Sequence, residues 1–105
     1  MSRKDGILFL TIKEPWFSMI RNRIKREEYR EQSPYWKRRL YPKWPALKEQ
    51  GFQHYDQLLL SNGMTKDKEK RLLLDNPKIR IGTGNHEWGA KPGKEYFVIT
   101  WEDNR

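Results

Sequence analysis

Residues 12–30, IKEPWFSMIRNRIKREEYR, bring together the end of an apolar strand, a short amphipathic helix and a charged second strand. Pro15 suits the first helical position, where its missing amide hydrogen would be unpaired anyway. Phe17, Ile20 and Ile24 recur at helical spacing with Trp16 beside them, so one side of this helix faces a core. Arg21 and Arg23 lie on its other side. After Ile24 the apolar period gives way to Lys25, Arg26, Glu27, Glu28 and Arg30, with Tyr29 among them. This corner is where a polar site belongs.

Upstream, residues 6–13 form an apolar run that reads as a strand. Downstream, residues 25–30 read as a short strand. Ser33-Pro34 then starts a helix, with the hydroxyl as cap and the proline in the first turn. It ends near Tyr41, before Pro42, and carries Lys37, Arg38 and Arg39. Residues 45–50 read as a helical turn closed by Gly51. Residues 52–61 are the next strand, and Asn62-Gly63 is a strong turn signal. Thr65 caps a predicted short helix that holds Asp67 and Arg71 and is anchored by residues 72–74. Residues 79–82 alternate as a short strand, 82–93 form a glycine-rich loop, and 95–101 are the last strand. About five strands and three or four short helices, without βαβ spacing, predict one small α+β domain spanning residues 1–105, with a curled or barrel-like sheet.

Composition narrows the function classes. The hydrophobic set is 35% of the residues and the charged set 34%, so five Trp and five Tyr must supply much of the core. No 18-residue apolar run is present, so no membrane span is expected. The N-terminus lacks the apolar stretch and cleavage site of a secretory signal. The absence of cysteine removes disulfides, thiolate nucleophiles and thiolate metal sites. Together these features predict a cytoplasmic protein. The net charge of +8 attracts polyanions, nucleic acid first and an anionic membrane surface second. Residues 13–43 hold ten Lys or Arg against four Glu. Tyr29, Tyr35, Trp36, Tyr41 and Trp44 are interleaved with them, a pattern that favours RNA or single-stranded nucleic acid, where rings stack on bases and cations meet phosphates.

On these residues the chain resembles the ASCH domain, a branch of the PUA-like β-barrel superfamily. Members open with an apolar strand and a Pro-aromatic helix, then a segment reading glycine, any residue, lysine, two residues, glutamate, any residue, arginine. Residues 23–30 resemble that segment through Lys25, Glu28 and Arg30, with Arg23 in place of the glycine. The Asn62-Gly63 turn, the 79–82 strand and HEWGAKPGKEYFVITW also look like small bacterial or phage ASCH proteins, so the resemblance covers nearly the whole chain. It implies a small PUA-like mixed β-barrel of about five strands with short flanking helices. It also implies RNA or nucleotide binding in a cleft between the helix-bearing face and the barrel. One small bacterial relative is similar to an amidohydrolase of N4-acetylcytidine, with a lysine and a threonine on this motif and a more distant glutamate. The lysine falls on Lys25, but Glu28 occupies the threonine position, and a carboxylate cannot replace a hydroxyl nucleophile without changing the mechanism. Other relatives resemble ribonucleases or helper modules in transcriptional coactivation.

The residues themselves permit related chemistry. Lys25 and Glu28 can pair as electrophile and base if a cleft depresses the lysine pKa. Positions three apart in a regular strand point to opposite faces, so the two converge only if Lys25 lies on the turn before the strand. Otherwise they form an exposed ion pair of little consequence. Arg30 lies on the face of Glu28 and can orient it or hold a phosphate. His54 and Asp56 are expected on one strand face, and Asp56 is the third candidate catalytic carboxylate or amine. The glycine loop lacks the order of a phosphate loop. Its Asn85 and His86 are expected to border the pocket, whereas Trp88 is read as a plug over the barrel and Trp16 as core with one ring face in the cleft.

Two histidines and no cysteine argue against a metal site, and no cofactor is expected. The leading expectation is an RNA- or nucleotide-binding module using Trp16, Arg21, Arg23, Arg26, Arg30, Lys37, Arg38, Arg39, Asn85 and His86. The alternative is a small hydrolase of a modified nucleoside or of RNA using Lys25, Glu28 and Asp56. A protein-interaction domain is a third reading, which calls for an exposed apolar patch.

Overall fold

Alternation in ILFLTI sends Leu8, Leu10 and Ile12 to one buried face, and these residues form β1 (Ile7–Ile12). The computed structural model describes residues 6–42, 51–65 and 67–105. The predicted turn at 45–50 and Trp44 lie outside the described residues. A cis Glu14–Pro15 peptide follows β1, with Pro15 at the N-cap rather than inside α1 (Trp16–Arg21). Glu14 accepts from the Ser18 amide at 3.0 Å and so satisfies one of the helix's open donors. Phe17 and Ile20 are buried as their spacing predicts.

Next come β2 (Glu28–Arg30), α2 (Pro34–Leu40), β3 (Gln57–Asn62), β4 (Arg71–Thr83) and β5 (Glu95–Glu102). Ser33 caps α2 by accepting from the Trp36 amide, as expected. Leu58 and Leu60 of β3, Leu74 of β4, Phe97 and Ile99 of β5 and Leu40 of α2 complete the main core with β1 and α1. The opposite face of β5 is covered too: Tyr96 and Val98 pack with Ala90 and Tyr29 in a second cluster. That accounts for the unbroken burial of Tyr96–Ile99 in place of alternation.

Three expected elements change. Residues 52–56 precede β3 instead of belonging to it, with Phe52 stacked on Tyr41 at 4.6 Å. The helix expected from Thr65 reduces to one 3₁₀ turn at Lys68–Lys70, and Leu72–Leu74 join the later strand as part of β4. The strand expected at 79–82 extends back through Pro77, which sits at an irregularity between Asp75 and Lys78, where Asn76 takes φ +49°. A bulge lets a strand carry a proline because one ladder position is left unpaired there.

The expected barrel is also corrected. The five strands form one sheet in the order β1-β3-β4-β5-β2, parallel between β1 and β3 and antiparallel elsewhere. β1 and β2 are its two edges, and no ladder joins them, so the sheet is open. Side chains occupy that position instead. Arg30 donates to the Thr11 carbonyl at 2.8 Å and Arg39 to the Phe9 carbonyl at 3.4 Å. These carbonyls are two residues apart and so share one edge of β1. Arginines satisfying edge carbonyls also protect β1 against pairing with another chain.

Candidate functional site

The end of α1 sets the geometry. Arg23 adopts φ +63°, and the amides of Ile24 and Lys25 both donate to the Met19 carbonyl, at 2.8 and 3.1 Å. This left-handed closure reverses the helical period. Ile24, predicted as core, turns out to be 57% exposed, and Lys25 takes the interior position with 1% exposure. Lys25 therefore lies on the turn before β2, which is the condition for it to meet Glu28. Its Nζ stands 3.1 Å from Glu28 Oε1 and also donates to the Glu27 carbonyl. The ammonium lies 4.7 Å from the Tyr29 ring centroid and 5.7 Å from that of Trp16. Burial pushes the Lys25 pKa below its ordinary value; Glu28 opposes that shift and Arg30 adds to it.

Arg30 holds the other carboxylate oxygen of Glu28. Its guanidinium lies 5.2 Å from the Trp36 ring, and Arg39 lies 5.4 Å from the same ring. Lys25, Glu28 and Arg30 thus form a cation–anion–cation row in which Lys25 and Glu28 are buried and Arg30 is half-buried. Beside it, the Tyr29 hydroxyl donates to Glu27 at 2.7 Å and accepts from the Asn85 amide at 2.9 Å. Burial raises the Tyr29 pKa to about 12, with the Asn85 bond opposing and Glu27 adding. Arg80 pairs with the second oxygen of Glu27 at 3.0 Å.

This network ties the 84–93 loop to β2. Asn85 caps a 3₁₀ turn, His86–Trp88, by accepting from the Glu87 amide. Gly89 follows at φ +100°, and a Cβ there would lie 3.1 Å from the Trp16 ring. Only glycine satisfies both the backbone and that close approach. The result is a cleft of about 420 Å³ between β1, α1, β2 and this loop. Trp16, Trp36, Trp88, Tyr29 and Tyr96 supply its rings, and Glu28 and Arg30 are among its polar lining. Lys13 and Lys91 stand at the cleft without an ion-pair partner among the described residues, whereas Glu31 is taken by Lys94 at 2.6 Å.

No family model, curated protein or solved structure matches this chain.

Of the residues singled out from sequence, Trp16, Glu28 and Arg30 line the cleft and Lys25 supports it from behind. Arg23 and Arg26 line a separate recess of about 120 Å³ with Lys25, Trp101 and Asp103. Asp103 is held down to about 2 by its hydrogen bond from Arg105, burial opposing. Arg21 is spent on the Glu69 carbonyl at 2.8 Å and on the Phe17 ring. Arg39 bonds the Tyr35 hydroxyl at 2.8 Å, Lys37 is half-buried on α2, and Arg38 is exposed there. Asn85 shapes the loop, and His86 is exposed beside it.

Asp56 does not join Lys25 and Glu28. It precedes β3, and its amide bonds the Gly6 carbonyl, so it lies roughly 16 Å along the strands from Thr11 at the cleft. There it pairs with His54 at 3.0 Å, both side chains mostly exposed, and neither is on a strand. Lys13, Lys91 and Tyr96 were missed as cleft residues. Lys91, between Ala90 and Pro92 in a glycine loop, carried a usable signal, because a lone cation on such a loop points to solvent. Trp88, read as a barrel plug, lines the cleft instead.

Among the described residues no group of three or more His, Asp or Glu is placed to hold a metal, and no helix is long and apolar enough to cross a membrane. A shallow groove of about 310 Å³ between Phe9, Met64, Thr65 and Arg71 lies apart from the cleft.

Proposed function

We propose that the protein is an RNA- or nucleotide-binding module that takes a base into the 420 Å³ cleft. One observation carries this reading. Aromatic rings and two cations without a counter-ion among the described residues, Lys13 and Lys91, line the same concavity. Rings supply stacking that any base can use, and unpaired cations meet phosphate without first breaking an ion pair. The surplus of basic residues over 13–43 supports a polyanionic partner. The ASCH-like segment at residues 23–30 supports the same ligand class, since its Glu28 and Arg30 line the cleft and its Lys25 backs Glu28 from behind.

The test is titration with short single-stranded RNA and with nucleoside monophosphates at two salt concentrations. Trp88→Ala should weaken binding by about 1–3 kcal/mol, the worth of one stacked base. Lys91→Ala should lower the salt slope for RNA by about 1. Binding that ignores both substitutions and salt would place the ligand elsewhere.

A second reading, a small hydrolase of N4-acetylcytidine-like nucleosides or of RNA, is favoured by buried Lys25, whose lowered pKa and contact with Glu28 suit acid–base work. Chromatography of N4-acetylcytidine after incubation tests it. Turnover that Lys25→Ala abolishes supports the hydrolase, and intact substrate removes it for that compound.

A further inference from the structure

We infer that the exposed face of β1, β3 and β4 is an interface between two copies of this chain, packed sheet on sheet about a two-fold axis. The nucleotide reading is not needed for it, because this face is centred on the groove that lies apart from the cleft. Alternation sends Leu8, Leu10, Leu58, Leu60 and Leu74 to the core, so the odd-numbered residues of the three strands share the other face. Register sets Phe9, Leu59 and Leu73 side by side as an apolar middle row, with Arg71 one row to one side and Asp75 one row to the other. Leu73 is 49% exposed and Ile7, in the row of Asp75, 44%; Met64, beyond the row of Arg71, is 84% exposed. Single exposed apolar side chains are ordinary, but a contiguous set on a sheet face marks a contact surface.

The charges say what covers it. The Arg71 guanidinium lies over this face, 5.9 Å from the Phe9 ring. It has no carboxylate partner among the described residues, and its Nε is buried without a hydrogen-bond partner. Asp75 accepts from the neutral side-chain amides of Gln57 and Asn104, at 3.5 and 3.2 Å. Glu102, its register partner on β5, accepts from the Asn76 amide at 2.9 Å, and neither carboxylate has a cation among the described residues. Arg71 and Asp75 stand about 13 Å apart along β4, too far to pair with each other. The face therefore has a positive end and a negative end with an apolar band between them. A partner of other chemistry would have to bring the matching pattern, whereas a second copy already carries it. A two-fold axis along the row Phe9–Leu59–Leu73 lays that row on its own copy and sets Arg71 opposite Asp75 and Glu102 of the second copy, twice by symmetry. It also brings Ile7 of one copy to the end where Met64 of the other stands. A two-fold along the strands would set positive end on positive end. Sheets packed face to face with strands within about 30° of each other are an ordinary arrangement. Three strands over five residues give a footprint of roughly 250 Å², below the ~800 Å² per partner of a standard interface, so the dimer is weak, with a Kd between about 1 µM and 1 mM.

The test is sedimentation equilibrium. From about 10 µM to about 1 mM the unaltered chain should pass from monomer to dimer and no further. Arg71→Asp and Asp75→Arg each put like charges opposite one another, and each alone should weaken dimerisation by about tenfold, because symmetry counts the repulsive pair twice. An equimolar mixture of the two variants should recover the dimer to within about threefold of the unaltered chain, since each end then meets its opposite. That recovery also shows that both variants fold. Leu73→Lys, at an exposed position in the band, should leave the chain monomeric throughout. A monomer over the whole range in the unaltered chain overturns the inference, and so does a mass that keeps rising past the dimer. Dimerisation that the single variants and Leu73→Lys leave intact, or a mixture of folded variants that does not recover it, overturns it as well.

Discussion

Lys25→Met nearly keeps the side-chain volume while removing the ammonium together with its hydrogen bond to the Glu27 carbonyl and its contact with Glu28. At 3.1 Å and an effective dielectric of about 20, the attraction between Lys25 and Glu28 is roughly 5 kcal/mol. Burial of the ammonium, the largest cause of its lowered pKa, offsets much of that. Breaking a buried pair by removing one partner costs about 3–5 kcal/mol when the other charge is stranded. Glu28 is not fully stranded, because Arg30 remains on its other oxygen. The expected loss is therefore at or below the low end, about 2–3 kcal/mol, or roughly 10–15 °C in Tm for a domain of this size. Urea unfolding of the protein, of Lys25→Met, of Glu28→Gln and of the double variant gives the coupling directly. It should be about 1.5–3 kcal/mol, with the double variant less damaged than the sum of the singles. A single-variant cost and a coupling both under about 0.5 kcal/mol would refute the picture of a buried pair and return Lys25–Glu28 to the class of surface pairs.

Three further outcomes follow from the geometry. Ile20→Ala should cost about 2–5 kcal/mol and Ile24→Ser less than about 0.5 kcal/mol in the same unfolding assay. The reverse order would contradict the left-handed turn at Arg23. A Cβ on Gly84 would lie 2.5 Å from the Tyr29 ring and 2.8 Å from Ala90 Cβ, so Gly84→Ala should destabilise by about 1–3 kcal/mol and weaken ligand binding by displacing Tyr29. In an alkaline series the folded Lys25 loses its proton below the unfolded value of 10.5. The unfolded chain then binds more protons, and stability rises with pH up to that value. Tyr29 acts the other way: its unfolded value is 10.0 and its folded value about 12, so its contribution is full below pH 10 and is lost as pH rises toward 12. Lys25→Met should flatten the rising arm and Tyr29→Phe the falling one.

The sequence by itself determined the local elements that have strong periodic or capping signals. β1 and β5 follow from apolar runs, α1 from Phe17 and Ile20, α2 from Ser33-Pro34, and the strand count and mixed class from their sum. It also pointed to the corner where Lys25, Glu28 and Arg30 meet, because packed ionisable residues after an amphipathic helix are conspicuous in one dimension. Tertiary structure decided what those signals could not. Periodicity assigned Ile24 to the core, but a positive φ at Arg23 exposed it and buried Lys25, and no pattern of apolar residues records a reversal of that kind. Proline commonly keeps out of a paired strand, yet pairing with β3 and β5 carries β4 past Pro77 on a bulge. Closure of the sheet depended on whether β1 and β2 would pair, and Arg30 and Arg39 took those β1 carbonyls. Asp56 left the site, and Lys13, Trp88 and Lys91 entered it, because a cleft is made of residues distant in sequence. Local propensity acts between neighbours in the chain, whereas a site depends on the few long-range contacts that bring its walls together.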